Sequence, residues 1–271
     1  MFRYWFGVYH WRRRLRRIGV GLAVALGGVA LGTVVATGAA YVAGLVLVFA
    51  GLRYGQPALK RLLVPAPWEP DRWQYAPLGH ALDLGDADRW LDVGCGTGRS
   101  LVGLSGASRA ASPNGDGVGH ATTADGRGAP RGTRVTALDA FDARVILGNG
   151  ARLAERNAAA AGLDAEAVRG DAARLPVAGG SQDVVTACRV LHDLPRADAE
   201  AAVAEARRAL REGGRFGVLE LRTTHEETEE AVAYWEAMLA DGGFDVEVSG
   251  EVSRGDSWYC YLVGTPSGPA N

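Results

Sequence analysis

The chain has 271 residues, 48% of them hydrophobic, with 29 Lys and Arg against 31 Asp and Glu, for a net charge of −2. Every acidic residue lies after position 68 and seven of the basic ones lie in the first 54, so from residue 55 onward 22 basic residues face 31 acidic ones, a net −9 that disfavours a nucleic-acid partner. Cys95, Cys188 and Cys260 have neither disulfide-framework nor metal-ligand spacing; no metal site is expected, and the thiols read as buried small side chains in a reducing compartment.

Residues 1–17 are a basic tail containing Arg12, Arg13, Arg14, Arg16 and Arg17. Residues 18–52 follow with no charged residue and no histidine over 35 positions, where one membrane span needs about 20. The apolar core of a cleaved signal is about 7–15 residues, so a transmembrane segment is the better reading than a signal peptide or a hairpin buried in a soluble core. It spans either as one long tilted helix or as a tight hairpin turning near Thr37, Gly38 and Ala39, with legs of about 16–17 residues, slightly short for a span. An interfacial segment is the remaining alternative.

Residues 53–78 read as a linker and possible lid. Pro57, Pro65, Pro67, Pro70 and Pro77 exclude a long helix there, and Trp68, Trp73 and Tyr75 suit a membrane boundary, a lid over a pocket, or simple cover for a sheet edge.

The next element is a short apolar strand, Trp90-Leu91-Asp92-Val93, that breaks into the loop DVGCGTG at 92–98. A dinucleotide fingerprint would need a third glycine at position 99, which is Arg99, and no GK[ST] follows to cradle a phosphate. The spacing GxGxG lets backbone without Cβ atoms pack against a nucleoside and a short amino-acid tail. A helical turn or two starts at Arg99, Ser100, Leu101 and Val102. Residues 103–134, with many glycines and almost no large apolar side chain, form a flexible insert that loops out, and His120 within it reads as solvated.

Beyond the insert, β and α patterns alternate. A second strand ends at Asp139, and residues 144–162 are an alanine-rich crossover helix stopped by Gly162. A third strand over 164–169 ends at Gly170 and Asp171, and 183–188 is a fourth, too apolar for an exposed edge. Residues 197–211 are a helix with acids early and bases late. Gly213 and Gly214 turn the chain into a strand at 216–221. A helix near 226–240 and strands at 244–248 and 258–263 complete the pattern, which is that of a doubly wound α/β fold.

The series DVGCGTG, VTALDAFDARV at 135–145, VRGDAARLPVAGGSQDVVTACRVLHDLP at 168–195 and ALREGGRFGVLE at 209–220, in that order, resembles the class I S-adenosylmethionine-dependent methyltransferases, in particular their small-molecule branch. The likeness covers roughly 79–264. It implies a methyltransferase domain at 79–265 with a short tail at 266–271, built on a seven-stranded, mostly parallel sheet with an antiparallel last strand. It implies S-adenosyl-L-methionine as cofactor, held by Asp92, Gly94, Cys95, Gly96 and Gly98 in and before the loop. Asp139, with Ala140, would take the ribose hydroxyls; a helix N-cap is the plainer role for that acid. Asp171 and Ala172 would read the adenine, or Asp171 is a turn aspartate. Asp92 would fix the loop amides or the cofactor ammonium.

Methyl transfer asks mainly for in-line positioning. In the segment Arg189-Val190-Leu191-His192-Asp193, His192 could serve as a general base or simply be packed, and Arg189, beside the cofactor, or Arg222 could clamp an anionic acceptor. Glu220 would close the pocket floor. The expected partner is a small-molecule or lipid-like acceptor, such as a lipid or quinone, at the cell membrane. Because the cofactor is cytoplasmic, the hairpin that keeps both basic flanks inside is favoured, with the domain on the cytoplasmic side. The alternative class is a non-catalytic, membrane-tethered S-adenosylmethionine-binding regulator. The oligomeric state is not legible.

Overall fold

The computed structural model describes residues 2–63, 66–107, 132–228 and 230–268. Residues 108–131 of the expected insert at 103–134, with His120, lie outside them.

The apolar stretch folds as two antiparallel helices, α1 (Trp11–Val35) and α2 (Gly38–Leu63), after a two-residue strand β1 (Val8–Tyr9). The helices exceed the expected legs because α1 starts within the arginine run and α2 continues through Pro57. A proline there removes one backbone bond without ending the helix. At about 1.5 Å per residue each is roughly 38 Å long, and both are long and apolar enough to cross a membrane. The reversal comes one residue earlier than expected: Ala36 adopts φ 52° and donates its N–H to Gly32, and Thr37 Oγ1 accepts from the N–H of Ala40.

The seam between the helices is backbone against backbone. A Cβ on Gly28 would stand 2.5 Å from the carbonyl oxygen of Gly44, and one on Gly51 2.3 Å from that of Gly21. Close approach of this kind lets helices associate without a hydrophobic driving force. Leu22, Leu26, Val42, Leu45 and Phe49 point outward and are exposed. Only 22% and 17% of the two apolar windows are buried, so the hairpin is not part of the sheet domain's core.

Next come α3 (Ala76–Leu82), β2 (Arg89–Val93), α4 (Arg99–Ala107), β3 (Arg134–Asp139), the two-residue β4 (Ile146–Leu147), α5 (Ala151–Ala160), β5 (Asp164–Arg169) and β6 (Gln182–Cys188). The chain closes with α6 (Arg196–Ala209), β7 (Leu210–Leu221), α7 (Ala231–Asp241), β8 (Phe244–Arg254) and β9 (Ser257–Pro266). The main sheet has seven strands in the order β5-β3-β2-β6-β7-β9-β8, parallel up to β7, with β9 antiparallel to both its neighbours. The expected mixed, doubly wound sheet is therefore present. Period-two alternation divides its strands between two cores. Leu91, Val93, Val185, Ala187, Phe216 and Val218 pack under α6 and α7, while Trp90, Val135, Ala137, Val184 and Leu219 pack under α3, α4 and α5.

Three expected boundaries move. The first helix after the glycine loop persists through Gly103 and Gly106 because these glycines seat it: a Cβ on Gly103 would lie 2.2 Å from the Tyr75 ring and one on Gly106 2.9 Å from Arg72. Tyr75 is accordingly core, 1% exposed, and not a lid; Trp73 rests edge-on against Tyr259. The crossover helix begins at Ala151, since Ile146 and Leu147 pair instead with Val8 and Tyr9. β7 begins at Leu210, opposite Gln182, and takes Gly213 and Gly214 into an irregular strand.

The pairing of β1 with β4 makes residues 2–9 a strap rather than a free tail. Tyr4 and Phe6 are buried against Val102 and Ala161. Asn157, fully buried, donates to the carbonyls of Trp5 (2.7 Å) and Thr97 (2.8 Å) and accepts the Trp5 N–H at 3.1 Å. Thr97, inside the glycine loop, donates its hydroxyl to the Phe6 carbonyl at 3.0 Å.

Candidate functional site

The strand order puts the carboxyl ends of β5, β3, β2 and β6 side by side, which is the condition for the acids at 92, 139 and 171 to share one edge. Beyond β2 the chain turns through Gly94, Gly96 and Gly98 at φ 70°, 53° and 79°, where L side chains are strained. A Cβ on Gly94 would meet Val190 at 2.4 Å and one on Gly98 the Ala154 carbonyl oxygen at 3.0 Å, so these two glycines allow close packing. At Gly96 the nearest atoms are Ile146 Cδ1 at 3.4 Å and Tyr9 Oη at 3.9 Å, so this buried glycine lies under the β1–β4 pair.

Asp139 fastens that loop. Its Oδ2 accepts the Gly96 N–H at 2.9 Å; its Oδ1 accepts the Phe141 N–H at 2.5 Å and Asn149 Nδ2 at 3.2 Å. It does not cap α5, which starts after Gly150. The Leu138 carbonyl takes the N–H groups of Gly94 and Cys95. Asn149 Oδ1, held beside Asp139, is shut off from solvent and has no hydrogen-bond partner. Phe141 sits at φ 52°, a strained conformation for an aromatic residue and one that concentrates at functional sites.

The other predicted cofactor residues are placed less uniformly. Asp92 is fully buried and binds no loop amide: it accepts Ser100 Oγ at 2.5 Å and Thr186 Oγ1 at 2.6 Å, joining α4 to β6 beneath the loop. Burial pushes its pKa up to about 7 against the lowering pull of those two hydroxyls, with Asp139 adding to the rise. Cys95 is buried, its thiol directed to the Gly96 carbonyl. Ala140 is exposed at the end of β3 and accepts Arg169 Nη1 at 2.8 Å. Asp171 is exposed at the end of β5 and accepts the Ala173 N–H at 3.0 Å, while Ala172 packs into the core below.

Across the edge, a cavity of about 150 Å³ is lined by Tyr9, His10, Arg189, His192, Asp193 and Leu221. His192 Nδ1 lies 2.5 Å from Glu220 Oε2, and its Nε2 lies 3.5 Å from Asp193 Oδ1. Glu220, expected as a pocket floor, is fully buried and also takes the N–H groups of Val190 (3.0 Å) and Leu191 (2.7 Å) on Oε1. Burial alone would lower the His192 pKa, but the hydrogen bond and charge of Glu220, helped by Asp193, outweigh it and hold the imidazole above 6.5. His225 braces the same segment, its Nε2 within 3.1 Å of the Leu191 carbonyl and 2.9 Å of that of Leu194.

Arg189 follows β6 at φ 59°. Its guanidinium lies over the Tyr9 ring, with Nη2 3.4 Å from the Tyr9 hydroxyl, and its Nε is buried without a partner. Arg222 is elsewhere, stacked on Trp258 and absent from the cavity lining. Tyr9, Asn149, Asn157 and His225 were not foreseen, because nothing local in the sequence marks them; Glu220 was foreseen only as a wall.

The family model described as "Methyltransferase domain" matches residues 114–218, which takes in Asp139, Asp171 and His192 but begins after the glycine loop. Solved structures match over most of the chain at low identity. A SAM-dependent methyltransferase from Aquifex aeolicus is 16% identical, with TM-score 0.51, covering 73% of this chain and 94% of that one. A putative methyltransferase from Bacillus halodurans C-125 is 15% identical, with TM-score 0.50 and coverage of 74% and 100%. A TehB-like SAM-dependent methyltransferase from Corynebacterium glutamicum is 19% identical, with TM-score 0.50 and coverage of 79% and 97%. The chain has the class I S-adenosylmethionine-dependent methyltransferase fold. The family match over residues 114–218 agrees with that fold. No curated protein matches the chain.

The buried Asp92 beneath the methyltransferase loop has a measurable consequence. Its folded pKa, about 7, exceeds its ordinary 3.8, so the stability it contributes is complete below about pH 4 and is lost as pH rises through about 7. Melting temperature recorded across that window should fall for the native chain, and Asp92→Asn should flatten the fall.

Proposed function

We propose that this chain transfers the methyl group of S-adenosylmethionine to a small membrane-associated acceptor, its catalytic domain tethered on the cytoplasmic side by α1 and α2. The observation that carries the reading is the meeting, at one sheet edge, of the GxGxG loop, the Asp139 carboxylate that fastens it, and the His192–Glu220 pair. The residues suit the cofactor. Asp139 with the orphan Asn149 Oδ1 offers acceptors to a ribose diol. Asp171 and Ala172 stand at the adjacent strand end for the adenine. When bound, S-adenosylmethionine supplies an electrophilic sulfonium methyl group.

The chain's own contribution is positioning and one proton transfer. Glu220 fixes the imidazole through Nδ1 and leaves Nε2 toward the cavity, where it takes the proton of a hydroxyl or carbon acid as the acceptor attacks. Support for the membrane comes from the exposed apolar faces of both helices, an apolar surface far larger than a soluble monomer keeps open. Basic flanks at both ends of the hairpin favour the cytoplasmic side for the domain.

Calorimetric titration of the full chain in detergent tests cofactor binding. S-adenosylmethionine should bind, and Asp139→Ala should weaken it by about 2–3 kcal/mol, the worth of lost hydrogen bonds to a charged group. Labelled methyl should pass from the cofactor into a membrane extract; binding without transfer into any fraction would identify a regulator instead. High-salt washing should leave the protein on membranes, whereas an interfacial helix held by its arginines would be released.

The general base adds a pH signature. Only neutral imidazole accepts a proton, and its pKa is raised, so kcat should climb with pH through a midpoint above 6.5. Glu220→Gln removes the charge and leaves burial dominant, moving the midpoint below that of the native chain; an unmoved midpoint would take His192 out of the reaction.

A further inference from the structure

We infer that the acceptor is an anionic amphiphile whose phosphate or carboxylate head is held by four arginines at the foot of the hairpin, with its apolar chain lying between α1 and α2. The inference rests on the methyltransferase reading for the reaction but on separate residues for recognition.

A small cavity, about 50 Å³, is lined by Arg14 at the start of α1, Arg61 at the end of α2, Arg99 in the first turn of α4 and Arg189 beyond β6. The strap residues Gly7, Val8 and Tyr9 form its wall. These four guanidiniums come from four distant parts of the sequence, and each keeps its charge throughout the physiological range. One carboxylate answers them: Asp71, 3.3 Å from Arg99 and with its own pKa raised by burial. Among the described residues no carboxylate lies within 4.0 Å of Arg14, Arg61 or Arg189. Arg14 donates to the carbonyl of Arg61, and Arg189 keeps a buried Nε without a partner. Concentrated, under-compensated guanidinium groups are an oxyanion site, because planar N–H pairs match carboxylate and phosphate oxygens.

Two features identify the carrier of that anion as a lipid. Arg189 and Tyr9 line this cavity and also the one containing His192, so an anion bound here sets its neighbouring atoms against the base. On the other side, a mostly apolar groove of about 560 Å³ runs along the seam of the helices, lined by Ile18, Leu22, Phe49, Leu52 and Leu59 together with Arg53 and Gln56. Ile18 lies one turn beyond Arg14, and Leu59 lies two residues before Arg61, so the groove ends at the arginines. Tail, charge and reacting centre then follow one another from the membrane inward.

Three probes separate the parts in the full chain in uncharged detergent: dioctanoyl phosphatidate (chains and anion), dioctanoylglycerol (chains alone) and inorganic phosphate (anion alone), each followed by tryptophan fluorescence. Phosphatidate should bind at least ten-fold more tightly than either of the others, and Arg61→Gln and Arg189→Gln should each weaken it about ten-fold or more. Arg61 is exposed, so its variant tests the idea even if the Arg189 variant fails to fold. Equal binding of the neutral lipid, inorganic phosphate binding as tightly as phosphatidate, or unchanged phosphatidate affinity in Arg61→Gln would each overturn the inference. S-adenosylmethionine titration of Arg61→Gln is read in parallel and should match the native chain; phosphatidate binding intact with no cofactor binding would count against the methyltransferase reading alone.

Discussion

The hydrogen bond from the Gly96 N–H to Asp139 is the contact around which the rest of the site is arranged. A loop with three successive glycines at positive φ has little of its own to hold it, since glycine gives up the most conformational freedom on ordering. Its shape must be imposed from outside. The end of β3 does this twice: the Leu138 carbonyl receives two loop amides and the Asp139 carboxylate a third. The parallel pairing of β2 with β3, residue for residue from Arg89 opposite Arg134 to Val93 opposite Leu138, brings those groups to the loop. Asp92 works from below, drawing the first turn of α4 and the end of β6 together through two hydroxyls. One acid therefore stands half-buried at the sheet edge and one is sealed beneath it.

The second set of constraints comes from the other end of the sequence. Asn157 uses all its polar capacity on Trp5 and Thr97, and Thr97 returns a bond to Phe6, so the strap is tied directly to the glycine loop. Tyr9 continues the strap into the acceptor cavity, and α1 begins two residues later. The hairpin is thus joined to the site through a few ordered residues, with no long tether between them. On the proposed function, such a connection would give a membrane-held acceptor a fixed approach to the sheet edge, which requires a rigid hairpin. The glycine seam supplies that rigidity by bringing the two backbones into contact.

Much of this was legible in the sequence, and for identifiable reasons. Strands β2 and β3 announce themselves because they are short apolar runs ended by Gly or an acid, and the GxGxG spacing with Arg99 in the sixth place excludes the nucleotide motifs that share its glycines. The apolar segment was plain from 35 uncharged residues, which left a hairpin, one long helix and an interfacial segment open. What escaped was whatever depends on partners far away along the chain. Gly103 looked like the start of a loop; it is glycine because Tyr75, 28 positions earlier, needs the space. Tyr75 looked like a lid for the same reason, its partner being invisible in one dimension. Ile146 and Leu147 fit a helical spacing, and only pairing with Val8 and Tyr9 makes them a strand. Asn157 is a polar residue in a helix until its three backbone partners are known.

Glu220 and Arg189 divide the electrostatic work of the cavity. A fully buried carboxylate is costly unless its oxygens are satisfied, and Glu220 has two backbone N–H groups on one oxygen and His192 on the other. All its capacity is turned inward, so it can orient the base but cannot repel an anion outside. Arg189 is the reverse case, a cation held in strained backbone with an aromatic ring beneath it and a buried N–H still unspent. Removing water from such a group is unfavourable until a ligand completes it. At this cavity the buried carboxylate is therefore engaged and the guanidinium is not, with the exposed Asp193 opposing it, so an arriving anion is favoured only as far as Arg189 outweighs Asp193.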